Sequence, residues 1–306
     1  MGIIEIIFST DFFFTSIRLM TPILFAALAC MTFSKGGIDP IGTEGIMLLC
    51  ALAGPVGGYF TGNVVGGVLA AMAVGVAMAF VFGYFTLILD TNPVLAGIAL
   101  NTFSGGLTIF LTYYLTGNKG STQSLNSPVV PNIDIPIMEN IPVIGPIVSG
   151  HSILTYVSLL LVVLLTLFFW KTPYGVRIRA VGENEKSAAS VGVNIMKYKY
   201  ISLLIAGCLA GLGGAYMSMS YVSMFSRDMI AGRGWIGMAA ESMGFGIPWR
   251  IAGSVFIFGM ADSLAIRLQM LNLPTQLISC IPYIVTIIAI SIYSWQRSRI
   301  KKKKAA

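Results

Sequence analysis

A chain of 306 residues in which 56% are hydrophobic and only 10% charged, with a mean hydropathy of +0.84, carries far more apolar surface than one soluble core buries. Its formal net charge of +7 is clustered, six of the 19 Lys and Arg falling in 171–199 and six in 297–304. Such clusters orient a membrane protein by its cytoplasmic loops and argue against a nucleic-acid-binding surface. Glu5 and Asp11 precede any basic residue and no small-residue cleavage site follows, so no cleavable signal peptide is expected. The first membrane helix is read over about 12–33. The next stretch, SKGGIDPIGTEG (34–45), is either a cytoplasmic loop or a broken helix inside the bundle. Glu44 within it is expected to cap the helix that follows, with direct solute contact as the alternative. Gly45–Leu89 is free of charge over 45 residues, too long for one passage of ~30 Å, and is interrupted by Pro55, Gly57, Gly58, Gly62 and Asn63. Two helices with a tight turn, 43–60 and 64–89, fit it.

Helix 92–116 repeats Gly97, Asn101, Ser104, Gly105, Thr108 and Thr112 at steps of three and four, a single stripe along one face. Small and hydroxyl residues of this kind pack helices closely or line a passage for a polar solute. The segment 117–150, rich in Pro, Asn, Ser and Gly, is read as the one large external loop. Its GNKGST lacks the spacing of a phosphate-binding loop. Helices 151–170 and 200–219 flank a cytoplasmic loop, 171–199, and His151 is read as a helix-end residue. Beyond them, 231–247 is short and holds Arg233, Glu241 and several glycines, including Gly232 and Gly234, as a broken or re-entrant segment would. Crossings over 251–270 and 275–295 and a basic cytoplasmic tail, 296–306, complete the chain. The fold expected is all-α, one polytopic bundle of about eight membrane segments, eight to ten, over 1–306.

Cys30, Cys50, Cys208 and Cys280 lie in apolar stretches without paired spacing, and one histidine cannot build a metal centre. No nucleophile elbow or metalloprotease motif is present, so no enzymatic activity is expected of this chain. Within 171–199, the stretch RAVGENEKSAASVGVN has a good N-cap in Asn184, a first-turn carboxylate in Glu185 and a helix stop in Gly192. It should form a helix of about two turns on which Ala188 and Ala189 make one flat face.

The segment GENEKSAASVGVN resembles the coupling loop of ABC importer permeases, the element that docks on the ATPase. TPILFAALACMTFSKGGIDPIGTEGIML, GIALNTFSGGLTIFL, AGCLAGLGGAYMSM, AGRGWIGMAAESMG and ADSLAIRLQ extend the likeness over about 20–290. They resemble the smaller permease of bacterial nucleoside importers, in the branched-chain amino acid and simple-sugar permease superfamily. Asp39-Pro40, Thr43 and Glu241-Ser242 depart from the usual pattern. The resemblance implies coupling residues Gly182, Glu183, Asn184, Ala188, Ala189 and Gly192. Pathway candidates are Glu44, Asn101, Ser104, Thr108, Gly232, Arg233 and Gly234. It also implies a second homologous permease, a cytoplasmic ATPase that holds ATP and Mg²⁺, an extracytoplasmic binding lipoprotein, surrounding lipid and an inner-membrane location with the C-terminus inside. This chain itself is expected to bind no cofactor. Nucleosides are the expected cargo, with riboflavin or a simple sugar such as ribose as the alternative, and an ion-coupled secondary transporter as the second.

Overall fold

The computed structural model describes residues 9–134 and 144–269, together with the isolated positions 284, 285, 287 and 291. The crossing expected over 275–295 and the tail 296–306 lie outside these residues, apart from those four positions. Among the described residues, seven helical segments are long and apolar enough to cross a bilayer. Helix α1 (Thr10–Lys35) is followed by a 3₁₀ turn (Pro40–Gly42) and α2 (Thr43–Thr61). Next come α3 (Val64–Gly83), extended by a π-turn (Tyr84–Ile88), and α4 (Pro93–Thr116). Within the long loop, strand β1 (Asn132–Ile133) pairs antiparallel with β2 (His151–Ser152), which follows the short α5 (Ile144–Val148) and leads into α6 (Ile153–Lys171). The basic segment folds as α7 (Pro173–Glu183) and α8 (Glu185–Ser190). The chain then makes α9 (Ile195–Tyr216), a second π-turn (Met217–Tyr221), α10 (Arg233–Met243) and α11 (Pro248–Gln269).

Helix α1 is the axis of the bundle, because every residue from Leu19 to Phe33 is buried and no polar face is left for water. Its hydroxyls avoid the cost of burial by bonding back one turn, as Ser16 does to Phe12 O and Thr32 to Leu28 O. Helix α11 lies along it, with the Ser263 hydroxyl donating to Phe12 O. The contact between α9 and α3 depends on glycine: a Cβ on Gly207 would sit 2.6 Å from Gly75 O, a distance no real Cβ tolerates. By contrast α3, α4 and α6 turn Leu69, Leu95, Phe110, Tyr114 and Leu160 outward, as helices solvated by lipid do.

Two features set the geometry of the site. First, α2 starts at the depth of Cys30 in α1, whose thiol lies 3.5 Å from the Thr43 hydroxyl. The α1–α2 connection is therefore a broken stretch that enters the bundle, the second of the two alternatives left by the sequence. Second, the crossing expected over 231–247 is assembled from an irregular strand of chain, 222–232, and the 11-residue α10. At 1.5 Å per residue α10 spans about 16 Å, half of the hydrocarbon layer.

Candidate functional site

A cavity of about 260 Å³ lies between α4, α2 and the irregular stretch. Leu48, Thr102, Gly105, Gly106, Thr108, Ile109, Arg227 and Asp228 line it. The α4 spacing of three and four residues brings Thr102, Gly105 and Ile109 to one side, and Thr108 reaches it from the buried edge of the stripe. Opposite them, the chain from 223 to 232 is held in backbone conformations that ordinary residues avoid. Ser223, Asp228 and Ala231 have φ of 63°, 55° and 50°, and Gly232 has 83°. Strain of this kind persists only where surrounding structure enforces it.

The long loop does the enforcing. Thr122 N–H donates to Phe225 O at 3.0 Å and its hydroxyl accepts from Phe225 N–H at 2.9 Å. Arg227 N–H donates to Gly120 O and Val130 N–H to Met219 O, each at 2.9 Å. Residues 120–130 thus act as a splint for the wall of the cavity.

At the other end of the irregular stretch stands Glu44. Its Oε1 accepts from Gly232 N–H at 2.8 Å and its Oε2 from Gly234 N–H at 2.7 Å. The carboxylate therefore caps α10, a different helix from the α2 it was expected to cap. The reason is register: Glu44 sits in the first turn of α2, and its side chain projects across to α10, where two amides and the positive end of the helix converge. A Cβ on Gly234 would fall 2.6 Å from Glu44 Oε2, so glycine makes that approach possible. The task of capping α2 passes to α4, where Asn101 Oδ1 accepts from Gly45 N–H at 2.8 Å while its Nδ2 donates to Ile41 O at 3.0 Å. Ser104 and Thr108 donate to Leu100 O and Ser104 O within their own helix. Arg233 donates to Met229 O and Ile230 O.

Of the seven pathway candidates, Thr108 lines the cavity directly. Glu44, Gly232 and Gly234 form the joint beneath it, Asn101 and Ser104 fasten α4 to α2, and Arg233 closes the turn into α10. Arg227 and Asp228 were not singled out from sequence. Their signal was the sudden appearance of RDMIAGRG after the uncharged run Tyr200–Ser226, since charges at membrane depth mark functional ground.

The coupling residues gather at the opposite end of the bundle. Asn184 Oδ1 accepts from Ser187 N–H at 3.0 Å, the N-cap expected of it, and Gly192 follows α8 with φ of 79°. The helix is six residues long, about 9 Å, against the two turns expected. Ala188 is 4% exposed and turned into the bundle, whereas Ala189 is exposed. The expectation of one flat alanine face is corrected accordingly: neighbouring residues on a helix point about 100° apart, and here the bundle takes one of the two. Glu183 is exposed, and Gly182 packs on the turn after α1, where a Cβ would lie 2.9 Å from Gly37 N. Lys199 bonds Glu185 across the segment.

Comparison with known proteins fixes the family. A family profile described as branched-chain amino acid transport system / permease component matches residues 12–290. The chain belongs to that permease family. It is similar to the guanosine ABC transporter permease protein NupQ of Bacillus subtilis, 31% identical over 88% of each chain. The nucleoside ABC transporter permease protein NupC of Lactococcus lactis is 28% identical over 89% of each. A Haloferax volcanii relative, TsgC13, whose name points to a glucose ABC transporter permease, is 29% identical over 90% of this chain and 89% of its own. This protein is a multi-pass membrane permease subunit of an ABC transporter, a transport component and not an enzyme, and it works with an ATPase and other ABC components.

Proposed function

We propose that this chain is half of the membrane pathway through which an ATP-driven importer brings nucleosides into the cell. The observation that carries the cargo is the likeness to relatives named for guanosine and nucleoside transport over nearly nine-tenths of the chain. The cavity beside Thr108 is the place where the solute meets this subunit. A second homologous permease closes its open side, where Thr102, Gly106, Arg227 and Asp228 are exposed in the single chain. The charge clusters support a cytoplasmic location for 171–199 and for the basic tail, in the inner membrane, with 117–150 outside. On that topology an extracytoplasmic binding lipoprotein delivers the solute at the end where 120–130 splints the cavity wall. ATP and Mg²⁺ are held by the cytoplasmic ATPase, which engages the segment around Asn184, Ala189 and Gly192.

A mechanism follows from the connections. Movement of α8 by the ATPase is passed through Gly182 to the turn after α1, and from there to the broken segments that meet at Glu44. Because α10 begins at membrane depth, a small tilt of that half-helix changes the shape of the cavity above it. The test is uptake of labelled uridine and guanosine by cells with and without the gene, with ribose and riboflavin as competitors. Gene-dependent uptake competed only by nucleosides is expected. Uptake that is indifferent to the gene, or competed by ribose or riboflavin, overturns the cargo.

A further inference from the structure

We infer that the cavity recognises the hydroxyl groups of an uncharged solute, with Asp228 as the residue that takes a pair of them; this rests on the cavity being the solute site of the proposed importer. The argument is a count of donors and acceptors. Thr102 and Thr108 have their hydroxyl protons committed to the carbonyls of Ile98 and Ser104, so each offers the cavity lone pairs only. The Asp228 carboxylate is likewise an acceptor, and neither it nor Arg227 makes a side-chain hydrogen bond or ion pair among the described residues. Arg227 is the one side-chain donor in the lining. Leu48 and Ile109 supply apolar contact, and Gly105 and Gly106 leave a bare strip of helix backbone.

An acceptor-rich wall selects a donor-rich ligand. Two adjacent hydroxyls match the two oxygens of one carboxylate, while threonine oxygens take further O–H or N–H groups. A phosphorylated solute meets Asp228 as a like charge, with Arg227 alone to oppose it, so nucleotides are excluded. The positive φ of Asp228, held by the bonds of the long loop to Phe225 and Arg227, sets the direction in which its side chain leaves the backbone before the solute arrives.

The test uses a reporter thiol at Gly105, where an added Cβ meets nothing within 4 Å. Gly105→Cys is placed in a chain with Cys30, Cys50, Cys208 and Cys280 replaced by serine, and its labelling rate is read in membrane vesicles holding the assembled permease pair and ATPase. No binding protein is present, so its selectivity does not enter. Uridine is expected to slow labelling at concentrations about tenfold below those needed for 2′,3′-dideoxyuridine or uridine 5′-monophosphate. In Asp228→Asn the advantage of uridine over the dideoxy compound should fall to within about twofold. An unchanged ratio in that variant, or equal protection by the two nucleosides in its parent, overturns the assignment. If only ribose protects, the nucleoside reading fails, and the role of Asp228 is judged by ribose against 2-deoxyribose, where an unchanged preference in Asp228→Asn overturns it. Absence of protection by any of these solutes overturns the cavity assignment, while the cargo stands or falls on whole-cell uptake.

Discussion

At the scale of single residues, Glu44 shows how a half-buried carboxylate is accommodated by backbone amides with no ion pair among the described residues. Two amides at the start of α10 satisfy it, and it satisfies them in return. Replacing it with alanine leaves both amides unpartnered within the bundle and should destabilise the protein by about 2–3 kcal/mol. Glu44→Gln keeps one acceptor and should cost less than half as much. Thermal unfolding in detergent, read beside uptake, checks this: equal melting of the two variants would show that the amides find other partners. The role was legible only in part. The IGTEG motif marks Glu44 as a helix-terminal carboxylate, but which terminus it serves depends on α10 arriving from 190 residues away, and local sequence carries no record of that arrival. His151 is a simpler case. It stacks on Phe14 with ring centroids 4.2 Å apart, and burial first, with Arg18 nearby, holds its imidazole below the usual histidine range. It stands at a helix end, as its place in the sequence indicated.

At the scale of elements, the apolar runs announced themselves through length and hydropathy, and the α4 stripe through spacing. The segment 171–199 was less transparent. Its N-cap and stop were readable, yet α7 was not distinguished from loop, because PYGVRIRAVGE mixes helix-weakening glycines with β-branched valines. Nor did sequence say which alanine of α8 would face the bundle. The structure separates the two in a way that experiment can follow. Ala189→Asp should leave the stability within about 1 kcal/mol of the parent and reduce co-purification of the ATPase severalfold. Ala188→Asp places a charge against the bundle and should destabilise the fold itself. The assignment of α8 to coupling is wrong if the ATPase stays bound in Ala189→Asp at the level of the parent.

At the scale of the whole molecule, the chain is divided between parts fixed by close backbone contact and parts held by a few polar bonds. The α3–α9 seam belongs to the first class. Gly207→Leu should prevent that approach and lower the yield of folded protein strongly, with Gly207→Ala intermediate, measured by monodispersity in detergent. Normal behaviour of Gly207→Leu would mean that the seam is looser than its geometry. Lipid-facing α3, α4 and α6 complete the division: their outward residues follow from hydropathy alone, whereas the cavity draws on α2, α4 and 222–232, and their convergence is a product of the tertiary fold. That is why Thr108 was found from sequence by its spacing and Asp228 was not.

The bonds of Asn101 have one more consequence. By gripping Ile41 and Gly45 at once, that side chain makes the start of α2 and the middle of α4 travel as a single plate. The cavity then has one wall tied into a unit by Asn101 and a second, running from Met219 to Gly234, pinned at its two ends by the long loop and by Glu44. On the proposed mechanism, release at either pin would reshape the chamber, and each pin is a separate place at which a substitution should stall transport.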